Sequence, residues 1–246
     1  MVSYRRIALL LVLGLPAMQA VQAQSSSSNP ATPDQAPRAA QSQPQVSVQA
    51  RIKARREQRR AAAIREAYGH RYEAYIGGGY LRFLPGTNLQ RVNEYNWDAG
   101  LTRYRDERLG FTVDGRGTYG TPFVGLNAAT NSAITKPAIS QYSVMAGPTY
   151  RFYLQPKYSI AGRVMAGYAQ GNFSGDTSGN SKLSTALGLY PDGSTYAANA
   201  SLMVEYNLTP NVGIRVAPEY LLTGFGSTQQ NSLGFTSGIV YRFGKR

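Results

Sequence analysis

The feature that most constrains this chain is a set of segments, each about ten residues long, in which apolar and polar residues alternate. In residues 141–152 the even positions Tyr142, Val144, Ala146, Pro148, Tyr150 and Phe152 are apolar, and Gln141, Ser143, Thr149 and Arg151 lie opposite. Residues 158–168 set Tyr158, Ile160, Val164, Ala166 and Tyr168 against Ser159, Arg163 and Met165. Residues 196–208 and 212–222 repeat the pattern, with Glu205, Arg215 and Glu219 on the polar side. Weaker versions at 73–83, 95–105 and 109–119, with a last one at 233–243, bring the set to eight. A period of two is that of a strand. About ten residues is long for a globular strand but is what a tilted strand needs to cross a bilayer.

The connections alternate as well. Short turns fall at 106–108, 154–156 and 209–211, and longer polar links at 84–94, 121–140, 174–195 and 225–232. These lengths predict an all-β fold, an eight-stranded antiparallel up-and-down transmembrane β-barrel over residues 72–246, with tight turns at one rim and loops at the other. Asp114-Gly115 is a strong hairpin dipeptide, but turning there leaves strands of about five residues, too short to cross, so it is read through. Pro148 and Pro218 sit mid-strand, where a closed sheet has no free edge to excuse a missing donor, and a bulge is expected at each.

Residues 1–23 read as a secretory signal: Arg5 and Arg6, an apolar run over 7–18 too short to span a bilayer, then Val21-Gln22-Ala23 as a small-residue cleavage site. Residues 24–49 are rich in Ser, Gln, Pro and Ala and are expected to be a disordered linker. Residues 50–71 form a basic segment, helical through Tyr68, in which Arg51, Lys53, Arg55, Arg56, Arg59, Arg60 and Arg65 outnumber Glu57 and Glu66. The net charge of +13 would suggest nucleic acid in the cytoplasm, but export removes that partner. What is left for Arg51 to Arg60 is peptidoglycan or anionic phospholipid, or the role of a solvated spacer, because Ile52, Ile64 and the alanines make a thin apolar face.

The two faces of the strands differ in a way that assigns their solvents. Aromatics gather at strand ends: Tyr104, Tyr150, Phe152, Tyr153, Tyr158, Tyr206, Tyr241 and Phe243 near the turns, and Tyr80, Phe83, Tyr95, Trp97, Tyr119, Tyr142, Tyr168, Phe173, Tyr196, Tyr220 and Phe235 near the loops. Two aromatic rings separated by aliphatics are what two lipid–water interfaces select. The polar face then lines the lumen, where Glu73, Asp98, Asp114, Glu205 and Glu219 stand against Arg116, Arg151, Arg163, Arg215 and Arg242. Five acids against five bases predict a paired, filled interior, with a narrow channel for small solutes or ions as the alternative.

At the end of the chain Thr236, Gly238, Tyr241 and Phe243 give a polar residue, a glycine and two aromatics one position apart. This resembles the terminal-strand signal of outer-membrane barrels, and the chain from about residue 72 onward resembles the small OmpA-like outer-membrane β-barrel domains. The resemblance implies recognition of the last strand by the barrel assembly machinery and a filled, salt-bridged interior. The barrel is expected to be a monomer in contact with outer-membrane lipid, with periplasmic N- and C-termini. Two departures stand out. Gly244, Lys245 and Arg246 follow the terminal aromatic, which bears on assembly, and no cell-wall-binding domain follows the barrel, so the basic segment would have to supply any anchoring.

Enzymatic barrels, chiefly lipid hydrolases, acyltransferases and proteases, are the rival class and use a histidine base. The single His, His70, is expected just before the first strand on the turn side, away from the outer rim where those sites lie. With no Cys and no close carboxylate cluster beside it, no metal or cofactor site is recognisable. Gly77-Gly78-Gly79 lacks the Gly-Lys-Ser/Thr of a phosphate loop and is expected to let large side chains pack on the backbone. The sequon Asn199-Ala200-Ser201 falls mid-strand on the lumen face.

Overall fold

The computed structural model describes residues 47–128, 130–131, 133–177 and 180–245; the expected signal segment and most of the expected linker lie outside these. A helix, α1 (Val48–Tyr68), leads into eight strands: β1 (His70–Phe83), β2 (Val92–Tyr104), β3 (Leu109–Gly120), β4 (Ile139–Leu154), β5 (Tyr158–Asn172), β6 (Gly193–Asn207), β7 (Val212–Thr223) and β8 (Gln230–Lys245). A short helix, α2 (Ser181–Ala186), lies in the link between β5 and β6. Each strand pairs antiparallel with the next, and β8 closes on β1 into a complete barrel. All eight expected strands are present, and β3 runs straight through Asp114-Gly115.

Several boundaries differ from the sequence reading. The Ser47 side chain accepts a hydrogen bond from Ala50 N at 3.3 Å, so the helix begins at Val48 and takes residues 48–49 out of the linker. His70 is the first residue of β1, paired with Lys245, because the closing ladder runs on to the end of the last strand. The strands also reach 12 to 16 residues, mostly by extension toward the loops. There residues such as Ser140, Gln170 and Ser194 still pair although the apolar band has ended.

Neither proline makes a bulge. Pro148 stays in register with Phe111 on β3, and the β4–β5 register is the same on either side of it. Pro218 likewise pairs with Phe235 while the β6–β7 register continues unchanged. In an antiparallel ladder one residue bonds to one neighbour only, so the absent N–H interrupts a single rung and leaves the rest in place. The register shift in β4 comes later, between Arg151 and Tyr153, beside the turn.

Backbone passes close to inward glycines at two opposite seams. A Cβ placed on the lumen side of Gly79 would lie 1.9 Å from the Phe235 carbonyl oxygen across β1–β8, and one on Gly147 would lie 2.1 Å from that of Val164 across β4–β5. Only glycine permits that approach. The glycines of β1 therefore serve backbone approach, where large-side-chain packing was expected. That packing occurs at other glycines, on the outer wall where Trp97 lies over Gly117 and Phe152 over Gly162, and in the lumen where Tyr75 lies over Gly100 and Tyr104 over Gly110.

Candidate functional site: the filled lumen and the turn-side mouth

Alternation along each strand sends one row inward. All ten charged residues expected in the lumen are there, each no more than 6% exposed. They form two layers. Nearer the turns, Glu73 and Glu205 sit among Arg151, Arg215 and Arg242: Glu73 is 2.5 Å from Arg151 and 3.0 Å from Arg242, and also pairs with Arg215, while Glu205 lies 2.6 Å from both Arg215 and Arg242. Nearer mid-barrel, the Arg116 guanidinium meets the Glu219 carboxylate with two parallel bonds of 2.7 and 2.9 Å and stands 3.6 Å from Asp114, which is 3.8 Å from Arg163.

Two carboxylates with three guanidiniums leave the first layer at +1. Asp98, Asp114 and Glu219 with Arg116 and Arg163 leave the second at −1. The excesses cancel, and Tyr75 joins the layers: its hydroxyl donates to Asp114 and accepts from Arg163, and its ring lies 4.5 Å from the Arg215 guanidinium carbon. Asp98 is the exception to pairing. It makes no salt bridge among the described residues, and its Oδ1 has no hydrogen-bond partner.

Sequence reasoning missed four parts of the interior. Glu94, placed in a loop, is fully buried in β2 and accepts two bonds from the Gln141 amide at 2.9 and 3.0 Å. Tyr104, expected at the lipid interface, points inward with the Arg151 guanidinium 3.7 Å above its ring. Phe83 and Phe173, also expected in a lipid-facing ring, are fully buried and stack at 6.2 Å, with Phe225 edge-on to both. With Leu187, Leu189 and Tyr190 from the β5–β6 link they form an apolar cluster in the loop-side half of the lumen, beside buried Glu94 and Gln141. The fourth is Tyr68, the last residue of α1, which is fully buried at the turn-side mouth. The Arg151 and Arg242 guanidiniums lie 4.9 and 5.0 Å from its ring centre, and its hydroxyl accepts from Asn207 at 2.8 Å.

Outside, the polarity is reversed. Ile76, Val144, Val164, Leu202 and Ile214 are exposed, with Val164 at 61%, although their inward neighbours are ionic. A water-soluble barrel would hide these rows and wet the charged ones. This molecule is a transmembrane β-barrel. Part of the exposed ring near the loops is hydrogen-bonded, from Trp97 Nε1 to the Tyr119 hydroxyl and from that to Tyr142. Near the turns Tyr72, Phe243 and Tyr241 stack at 5.6 and 6.0 Å. Of the terminal-strand residues, Thr236 and Gly238 face inward, and Tyr241 and Phe243 face out.

Arg51, Lys53, Arg55, Arg56, Arg59 and Arg60 are all exposed along α1. The helix carries seven basic and two acidic residues, a net of +5. His70 stands at the foot of the helix, its Nδ1 3.4 Å from the Ala67 carbonyl oxygen and its Nε2 3.3 Å from Asn211 Nδ2. Both ring nitrogens are thus engaged in fastening α1 to the β6–β7 turn. Asn199 and Ser201 of the sequon are buried in the lumen.

No family model matches the chain, and no curated protein does. Solved structures similar to it include Neisserial surface protein A, 16% identical over 70% of this chain and 97% of that one, with a TM-score of 0.47. The outer membrane protein OprG from Pseudomonas aeruginosa is 12% identical over 72% and 99%, at 0.45. Ail, the attachment invasion locus protein of Yersinia pestis, in complex with the heparin analogue sucrose octasulfate, is 16% identical over 69% and 99%, at 0.43. At these values the likeness adds nothing to the assignment, which stands on the closed strand order and the reversed polarity.

Proposed function

We propose that this chain is a monomeric, non-enzymatic barrel of a bacterial outer membrane, with the turns, α1 and both ends of the barrel on the periplasmic side and the long links facing outward. Its work is structural: a closed wall that spans the membrane, presents loops on one side and holds a cationic helix on the other. The observation that carries this reading is the filled lumen. Ion pairs crowd the turn-side half, an aromatic cluster the loop-side half, and Tyr68 the mouth, and among the described residues no continuous row of exposed polar groups is left for a solute to follow. Purified protein in planar bilayers is therefore expected to be electrically silent. Large, stable openings would overturn the structural reading and favour a narrow channel.

The fixed position of α1 supports a second part of the same reading. A helix held at its C-terminal end and exposed along its cationic length is suited to periplasmic polyanions. Its apolar residues are too few for insertion into lipid, and Ile52 is 46% exposed, so peptidoglycan carboxylates suit it better than the bilayer interior. Neutralising Arg55, Arg56, Arg59 and Arg60 to Gln is expected to abolish cosedimentation of the folded barrel with peptidoglycan. Undiminished cosedimentation would make α1 a spacer.

A further inference from the structure

Arg103 breaks the turn-side ring. It faces outward from β2, paired across to Tyr72 on β1 and Phe111 on β3, where the neighbouring strands present aromatics such as Tyr72, Tyr150, Tyr158 and Tyr241. Among exposed strand residues with described side chains, a fixed charge is carried by Arg82, at the loop end, by Arg103, and by Arg71 at the turn-side end of β1. Beside Arg103 the wall opens into a cleft of about 670 Å³, bounded by Arg71, Arg103 and Arg105 toward the turns and by Leu109, Phe111 and Pro148 along the strands. Among the described residues that line it there is no carboxylate.

A guanidinium at the edge of hydrocarbon reaches for the headgroup layer while its stem stays on apolar surface. There its planar fork matches two oxygens of a phosphate. Three arginines over an apolar floor thus suit a ligand that is anionic at one end and a hydrocarbon chain at the other. They disfavour a zwitterionic headgroup, whose ammonium would be brought against them. We propose that this cleft binds the phosphate of an anionic bilayer phospholipid, with an acyl chain laid along Leu109, Phe111 and Pro148. The proposal rests on the lipid-facing reading of the wall and adds to it a place and a headgroup class.

The test uses the full chain with Arg55, Arg56, Arg59 and Arg60 replaced by Gln, so that α1 contributes little charge. The protein is inserted into nanodiscs of phosphatidylethanolamine and phosphatidylglycerol, extracted with mild detergent, and the lipid retained on the folded barrel is counted by native mass spectrometry. Phosphatidylglycerol is expected in preference, and Arg103→Gln with Arg105→Gln is expected to weaken its retention by tenfold or more, on the order of the loss of one charge-assisted contact. Arg82→Gln, at the opposite rim, is expected to leave it unchanged. Equal retention by the barrel with and without Arg103 and Arg105 overturns the site. Inorganic phosphate held at the cleft with no lipid retained also overturns it, since the cleft would then take a free anion only. Failure to enter nanodiscs at all would instead overturn the membrane reading, and the site with it.

Discussion

The two halves of the lumen are packed around different centres, one ionic and one aromatic. The turn-side half holds Glu73 and Glu205 among three arginines, and the loop-side half holds Phe83, Phe173 and Phe225 in mutual contact. Both exclude solvent, so stability alone does not separate them. They differ in what a single loss leaves behind. Removing one partner of a buried ion pair strands the other charge in a medium that solvates it badly, whereas removing a ring leaves a cavity that loops can partly refill. The ionic half is also held by strands on every side, while the aromatic half draws Leu187, Leu189 and Tyr190 from the link between β5 and β6. The ionic half therefore acts as an all-or-none element of the wall and the aromatic half as a local stopper.

The sharpest way to break that contrast is Glu73→Gln. The Glu73 carboxylate serves Arg151, Arg215 and Arg242, so its loss leaves three guanidiniums to share Glu205. The expected cost is about 3–5 kcal/mol, spread over the whole barrel and read as a lower urea midpoint in heat-modifiability gels. A shift within experimental error would mean that water already reaches the layer. Next in size is Phe173→Ala, with an expected cost of about 3 kcal/mol. Here the loss is expected to stay at the loop end: the links at 173–192 and 224–229 become protease-sensitive while the urea midpoint moves less than for Glu73→Gln. If both variants unfold as one unit with equal shifts, the division into wall and stopper is wrong.

The same contrast explains what could be read from sequence. The ionic rows were legible because a charged residue inside an alternating strand can face only one way when the other row is aliphatic; Arg163 between Gly162 and Val164 leaves no choice. The aromatic rows were not, because an aromatic suits either solvent and its position near a strand end looks the same whether it faces lipid or lumen. Phase held the answer. Phe83 keeps step with Glu73 and Tyr75, Tyr104 with Asp98 and Thr102, and Phe173 with Arg163 and Met165. Glu94 keeps step with Asn96 and Asp98 and went unread for the same reason, the strand having been ended one residue short of it. The prolines misled in the other direction, since a missing donor says that a rung is lost but not that the register must shift. Tyr68 carried no signal of this kind: its burial comes from the path of the chain through Gly69 into β1, which puts the end of a polar helix over the mouth of the barrel.

Tyr68 supplies the smallest of the three effects and the one that separates the mouth from the wall. Its ring is shared by Arg151 and Arg242, the same arginines that Glu73 holds, but from the open end of the barrel. Tyr68→Ala removes two cation–π contacts and the acceptor for Asn207, with an expected cost of about 1–2 kcal/mol. The arginines keep their carboxylates, so the wall should remain intact and the urea midpoint should move least of the three. What should change is the hold on α1, visible as faster trypsin cleavage after Arg65 while the barrel still migrates as the folded form. Cleavage at the unaltered rate would show that His70 and Asn211 fasten the helix without the ring, and that the tyrosine merely fills space above the ion pairs.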